Sequence, residues 1–320
     1  MKQFIIRRLL QSIPTLIGAS ILIFLVFSLA PGDFISAQGN PDLTAERAAE
    51  LRALYGFDKP LPERYVIWAG NVLQGELGHS LYYRAPVENV LKTFIWNSFL
   101  LAIAATAVQW MVASVVGVFV AIKQYTIYDN VVTLLVFIFM SLPSFFIGLY
   151  LLKVFAVDYR IFPLGGKITT GTDYTGLAYV WDVMKHMALP VFAMSIVSIG
   201  SLTRYFRTNM LEVIKQDYIR TARAKGLKER VVIFKHALRN ALLPLITLFA
   251  LELPTLFSGA VITERIFNWP GIGKIYIDSI HQRDYPLVLA FVMLLAVLTV
   301  VANILADVLY GVADPRIRHK

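Results

Sequence analysis

Apolar residues gather into six blocks along the chain, set apart by stretches where charged and turn-forming residues collect. The first, Leu9 to Ala30, is an uncharged run of 22 residues. An α-helix rises about 1.5 Å per residue and a hydrocarbon core is roughly 30 Å thick, so this run is long enough to cross a membrane. The later blocks are Asn97 to Ile122, Val131 to Val157, roughly Met187 to Leu202, Ala241 to Ile262, and Leu287 to Tyr310. The block at 187 to 202 is the weakest, being short and interrupted by Pro190 and serines. The pattern predicts an all-α polytopic membrane protein with about six transmembrane helices.

The segments between the blocks carry their own signals. Lys2, Arg7 and Arg8 precede the first block. A signal peptide has an apolar region of roughly 7 to 15 residues, so this one reads as an uncleaved first span. Residues 31 to 92 form the longest polar section, with eight acids and six bases, and Pro31-Gly32-Asp33 ends the first span. Thr44 to Tyr55 reads as a short amphipathic helix with Leu43, Arg47, Leu51 and Leu54 near one side. Pro143 and Gly148 interrupt the third span and Gly117 lies in the second. In a transporter such residues mark bending points and close packing, but small residues serve plain helix contact in any membrane bundle, and the plain reading is preferred here. In the connection Thr263 to Pro286, Trp269 and Tyr285 suit the headgroup region.

Composition agrees with the blocks: of 320 residues 57% are hydrophobic and 16% charged, and mean hydropathy is +0.64. Such a chain is too apolar for a soluble globular protein. The absence of cysteine excludes a disulfide framework, thiolate metal sites and a Cys nucleophile. The net charge of +9 could suggest nucleic acid, but topology explains it better. Segments 1 to 8, 123 to 130, 203 to 239 and 311 to 320 hold 17 of the 30 Lys and Arg residues. By the positive-inside rule these face the cytoplasm, which puts both termini there.

Within the blocks only two acids remain, Glu252 and Asp307. A charge at the bilayer centre is costly, so an intramembrane carboxylate is a functional candidate. Glu252 lies between Pro244 and Pro254, in a span those prolines can bend, and could face an aqueous substrate path; it could equally bond to a backbone group or a neighbouring span. Asp307, near the inner end of the last span, reads as a local hydrogen-bonding group. Gln109 and Asn97 are further polar residues that could line a path.

The strongest charge cluster lies between Arg204 and Arg239, with ten Lys/Arg against three Asp/Glu. Inside it, Asp217 can cap a helix start, residues 218 to 225 are good helix formers, and Gly226 is placed to end the helix. Two turns are marginal alone, so the element must pack on something. Ile214, Tyr218, Thr221 and Ala222 give a narrow face of small residues, with Lys215, Arg220, Arg223 and Lys225 around the rest. The segment is shaped to fit a partner's groove. It could also be a basic helix lying on anionic lipid, or a solvated cytoplasmic loop.

The string Tyr218-Ile219-Arg220-Thr221-Ala222-Arg223-Ala224-Lys225-Gly226-Leu227, followed by Ala241-Leu242-Leu243-Pro244, is similar to the cytoplasmic coupling loop of binding-protein-dependent ABC importer permeases. The general signature has Glu-Ala-Ala, three residues and Gly. Here Arg220-Thr221-Ala222 fill those places, and the Gly-to-Pro spacing is five residues longer, as in the dipeptide/oligopeptide branch. Tyr55-Gly56-Phe57-Asp58-Lys59-Pro60-Leu61-Pro62, Leu73 through Ser80, Ile266 through Gly273, Arg283-Asp284-Tyr285-Pro286 and Asp314-Pro315-Arg316 also resemble that branch, so the likeness runs from the first span to the end.

The resemblance implies a permease subunit moving oligopeptides or dipeptides inward across a bacterial or archaeal cell membrane. Asp217, Tyr218, Thr221, Ala222, Arg223, Ala224, Gly226 and Leu227 would form the ATPase-coupling loop, within about 212 to 239. The implied partners are a second, homologous permease, two ATP-binding subunits, an extracytoplasmic peptide-binding protein and membrane lipid, with no nucleic acid. The expected division is 1 to 95 for the first span and a long extracytoplasmic segment, 96 to 315 for the core permease, and 316 to 320 for a cytoplasmic tail. ATP would be used by the partners and no cofactor bound by this chain, which has no GxxxxGK[ST]. No HExxH or GxSxG occurs, and the five histidines are scattered, which argues against catalysis and a metal site. Two alternatives stay open: a gradient-driven secondary transporter, which calls for several intramembrane ionisable groups, and a permease of the same family carrying nickel chelates or sugars.

Overall fold

The computed structural model describes residues 2–30, 32, 35, 44–54, 56, 58–257 and 260–313. Pro31, Asp33, Leu43, Tyr55, Phe57, the motif Asp314-Pro315-Arg316, and Arg318 and Lys320 of the tail lie outside them. The long helices are α1 (Lys2–Ser28), α4 (Val87–Ile122), α7 (Gly176–Ile214), α9 (Glu229–Glu252) and α12 (Tyr285–Ala313). All five are apolar and long enough to cross a membrane. Between α1 and α4 come α2 (Ala45–Leu54), α3 (Leu61–Leu73) and a small antiparallel hairpin, β1 (His79–Ser80) with β2 (Ala85–Pro86), pairing Ser80 with Ala85. α2 forms where the short helix was expected, with Leu43 outside the described residues.

The third apolar block is not one rod. It is α5 (Ile127–Ser141) and α6 (Ser144–Asp158), set at 98° across Leu142 and Pro143. Proline removes a backbone donor and disfavours helix at the residue before it, and Leu142 is accordingly extended. The two halves nevertheless climb α7 in one direction. Asp129 pairs with Arg207, Val136 and Met140 lie at Gly200, and Ile147, Leu151 and Ala156 share a core with Leu189, Ala193 and Ile196. The bent pair therefore makes a single, sixth crossing.

The weakest block of the sequence is the centre of the longest helix. α7 has 39 residues and runs unbroken through Pro190, about 58 Å at the usual rise. Of its apolar window 61% is buried inside the chain, against 11% for α1. A helix that faces protein on most sides can carry the small and polar residues that a lipid-facing one excludes. This is why Ser195 and Thr203, both buried, lowered the hydropathy without lowering the burial.

α4 and α7 touch most closely at Gly117. A Cβ there would lie 2.5 Å from Phe206 Cβ and 2.8 Å from the Thr203 carbonyl oxygen. On one side of this contact, Ala113, Val118 and Ala121 of α4 meet Leu202, Phe206 and Met210 of α7 and Val232, Ile233, Ala237, Ala241 and Leu245 of α9. On the opposite side, Leu101 of α4 meets Val183 and Met187 of α7 around Trp269. At the far edge, Arg8 Nε pairs with Asp307 Oδ2 at 3.0 Å and ties α1 to α12, the local role expected of Asp307.

Gly117→Ala forces overpacking against a backbone oxygen and should cost about 1–3 kcal/mol. Gly70 in α3 has open space around its Cβ position, and Gly70→Ala should be neutral or stabilising by up to about 1 kcal/mol. Thermal unfolding of the two purified variants in detergent checks the contrast: the melting temperature falls for Gly117→Ala alone.

Candidate functional site

The basic segment forms a short helix, α8 (Asp217–Ala224), packed against one end of α4, α7 and α9. Its start differs from expectation. Gln216 precedes it without a side-chain cap, and Asp217 is its first helical residue. There the Asp217 carboxylate still favours the positive end of the helix, and lies 3.5 Å from Arg220 Nη1. The end is as expected. Gly226 has φ +74°, its N–H bonds the Arg223 carbonyl at 2.9 Å, and the Leu227 N–H bonds the Ala222 carbonyl at 3.4 Å. These are the paired bonds of a Schellman motif, which needs a left-handed residue at this place.

Ile219 is fully buried and Ala222 nearly so, both in the core shared by α4, α7 and α9. Of the small-residue face read from the sequence, Ile214 and Ala222 join that core, and Tyr218 and Thr221 point outward, Tyr218 with 45% of its surface exposed. At 100° per residue, Ile219 and Ala222 fall on one side and Asp217, Arg220, Thr221 and Ala224 on the other. Tyr218 and Leu227 flank that exposed face.

Arg223 leaves the helix sideways. Its Nε and Nη2 donate to the two carboxylate oxygens of Glu229 at 3.1 and 2.7 Å, a bidentate fork that fixes both position and plane. The pair staples the end of α8 to the first residue of α9. α9 is wound as a π-helix over Val232–Ala237, with Val232, Ile233 and Ala237 buried. A cleft of about 260 Å³ opens beside the staple, lined by residues that include Tyr125, Lys215, Arg223 and Glu229.

At the other end of α9, Glu252 is half-buried against α4. Trp110 Nε1 donates to its Oε2 at 2.7 Å and Gln109 Nε2 at 3.1 Å. Trp110 is in turn packed edge-on against Phe249 and Phe206. Of the two candidate path residues, Gln109 is thus joined to Glu252, whereas Asn97 belongs to a different assembly. Asn97 Nδ2 donates to the Pro270 carbonyl, its Oδ1 accepts from Lys167, and its carbonyl accepts from Trp269 Nε1.

That assembly lies at the opposite end of α4 from α8, where Val261–Ile266 (α10) and Ile272–His281 (α11) fold back onto α4. Trp269 is fully buried there, not at a headgroup surface. Its indole N–H is satisfied by Asn97 and its ring fills the space between α4 and α7. Glu264, also fully buried, accepts from the Ser98 hydroxyl and, at 3.0 Å, from the Lys274 N–H in the first turn of α11. Gly271 and Gly273 leave it room, since a Cβ at Gly271 would run into the Glu264 carboxylate.

Three further acids are buried. Asp129 holds both Arg207 Nε and Nη2 at 2.9 Å. Asp182 accepts from the Thr169 N–H and hydroxyl. Asp284 accepts from Ser80, Leu81 and Tyr82, clasping the hairpin to the start of α12, and burial pushes its carboxyl above the usual range against the pull of those bonds. In the same clasp burial, helped by Asp278, pushes the Tyr83 phenol up to about 12. Of the four buried acids, only Asp284 lies inside a sequence motif, Arg283-Asp284-Tyr285-Pro286, the one signal that could have marked it. Among the described residues no cluster of three or more His, Asp or Glu could hold a metal ion.

Two family models cover most of the chain. One, the binding-protein-dependent transport system inner membrane component, matches residues 113–319. The other, the N-terminal part of such a membrane component, matches residues 1–87. The chain is 42% identical over 320 residues to the oligopeptide transport system permease protein AppB of Bacillus subtilis (strain 168), covering 100% of both. It is 38% identical over 338 residues to the dipeptide transport system permease protein DppB of Escherichia coli (strain K12), again with 100% of both covered. The glutathione transport system permease protein GsiC of Pectobacterium atrosepticum is 34% identical over 320 residues, with 100% of both chains covered.

Ile219 anchors α8, and an Ile→Ala change at a packed site costs about 2–5 kcal/mol. Ile219→Ala should therefore release the helix and raise amide hydrogen exchange across 217–224. Arg220→Ala, on the exposed side, should leave that exchange within the range of the unmodified chain.

Proposed function

Because the chain belongs to the family of binding-protein-dependent transport system inner membrane components, we propose that it is the peptide-conducting permease subunit of an ATP-driven importer. The observation that carries this is likeness over the whole length to permeases named for oligopeptides, dipeptides and glutathione, which favours peptides over nickel chelates or sugars. Both termini face the cytoplasm, in keeping with six crossings and with the Lys and Arg distribution.

In this reading α8 is the element on which an ATPase subunit docks. The exposed side formed by Asp217, Tyr218, Thr221 and Ala224, with Leu227 beyond the glycine, meets the ATPase. Ile219 and Ala222 pass the displacement to the core. Ala222, Arg223 and Gly226 keep the helix short, stapled and correctly ended. A second permease completes the pathway, two ATP-binding subunits supply hydrolysis, and a peptide-binding protein delivers substrate to the outer face. Glu252, half-buried in the membrane and joined to α4, lines the route. The additional buried acids do not favour a gradient-driven carrier, since Asp129 is matched by Arg207 and Asp182 by Thr169.

The test is affinity purification of the chain from its native membrane followed by ATPase and uptake assays. Recovery of a second permease and ATP-binding subunits, with uptake that needs ATP, is the expected result; a chain that purifies alone and transports without ATP overturns the proposal. Gly226→Val puts a β-branched residue at φ +74°, a strained placement costing about 1–3 kcal/mol. ATP-driven uptake should fall at least tenfold while the chain still reaches the membrane.

A further inference from the structure

Glu252 breaks a local electrostatic rule. It is the last α-helical residue of α9, followed by a 3₁₀ turn over Leu253–Phe257. A helix C-terminus carries roughly half a negative charge and favours cations, so a carboxylate there adds like to like. No Lys or Arg among the described residues pairs with it, and both its donors, Gln109 and Trp110, go to the same oxygen, Oε2. Oε1 has no donor among the described residues, yet it is not a sealed orphan: the only buried side-chain polar atoms without a partner among those residues are Thr203 Oγ1 and Ser279 Oγ. The free oxygen is reachable from outside the protein.

An acceptor left open at the negative end of a broken helix, within a span, is an arrangement suited to a cation. It cannot face lipid at acceptable cost. A carrier of peptides with varied side chains has to grip what all peptides share, which is the backbone and the two termini. The α-ammonium is the shared group of the right sign, with three donors on a compact centre. We propose that Oε1 of Glu252 receives the α-ammonium group of a passing peptide, which makes Glu252 a specificity-determining residue for substrates with a free amino terminus. This rests on the reading of the chain as a peptide importer subunit with Glu252 on its route.

Geometry supports the assignment from the protein side. Trp110 is held by Phe206 and Phe249, so the indole N–H, and with it Oε2, is fixed in place. Binding a cation at Oε1 then costs little ordering of the carboxylate. Glu252→Gln keeps an oxygen acceptor for Trp110 and nearly the same volume, and removes the charge.

The complete importer, reconstituted in liposomes with ATP and saturating substrate-loaded binding protein, is given a labelled tripeptide or its Nα-acetylated form. The unmodified importer should take up the free-amine peptide at least tenfold faster, and Glu252→Gln should bring the ratio of the two rates close to one. Equal slowing of both peptides by Glu252→Gln, with the ratio kept, overturns the ammonium assignment while leaving Glu252 on the route. A ratio near one in the unmodified importer overturns it as well. If Glu252→Gln changes neither rate, Glu252 is structural and both readings of it fail. Uptake without ATP would instead remove the importer on which they rest.

Discussion

The contact of α4 with α7 at Gly117 is the constraint from which the rest of the architecture hangs. With Phe206 Cβ and the Thr203 carbonyl both inside the radius a side chain would need, the two longest helices meet surface to backbone. In a membrane, where burying an apolar side chain gains little over leaving it in lipid, such close approach is itself a source of helix association. The pair then offers two platforms. One end, with α9, makes the core that seats Ile219 and Ala222, and the opposite end makes the socket for Trp269. The bent α5–α6 pair runs along α7 from Arg207 at one level to Leu189 at another.

Carboxylates impose the second constraint. Each acid withdrawn from water must find donors at once, since an unmatched one costs several kcal/mol. Asp129 is met by a guanidinium fork, Asp182 and Asp284 by hydroxyls and backbone N–H groups, and Glu264 by a hydroxyl and the first turn of α11. These four are structural: they hold one end of α5, the loop before α7, the hairpin, and α10 and α11. Glu252 is the exception, with one oxygen doubly bonded and the other open.

Much of this was legible from the chain and some was not, for reasons specific to each element. Five of six crossings show as apolar runs because they face lipid on at least one side. α7 shows only faintly because protein covers it, so its composition is that of an interior. Gly226 was readable because a left-handed residue after two helical turns has few alternatives. The packed face of α8 was not, because in eight residues both Tyr218/Thr221 and Ile219/Ala222 make plausible stripes, and only the core above decides between them. Trp269 misled for a related reason: a Trp-Pro-Gly turn between spans has the composition of an interfacial anchor, and only the Asn97 carbonyl, 172 positions away, supplies the buried partner its indole needs. Glu264 and Asp182 fell in segments assigned to loops, and the helices extend further than the apolar blocks because their ends leave the hydrocarbon.

The placement of Ile219 bears on how force applied to α8 would pass into the bundle. Had α8 been joined to the bundle only by its flanking loops, a push on it would be absorbed by the hinge at Gly226. Instead its buried face enters a core contributed by α4, α7 and α9 at once, and Arg223 grips Glu229 at the head of α9. From there α9 is continuous for 24 residues to Glu252, about 36 Å, and Glu252 is bonded back to α4 through Trp110. The π-wound turn at Val232–Ala237 seats Val232, Ile233 and Ala237 in the core, and Pro244 lies further along α9. Packed cores shift between discrete arrangements and do not deform smoothly. Under the proposed coupling, a displacement of α8 would bear directly on the ends of α4, α7 and α9 that pack around Ile219.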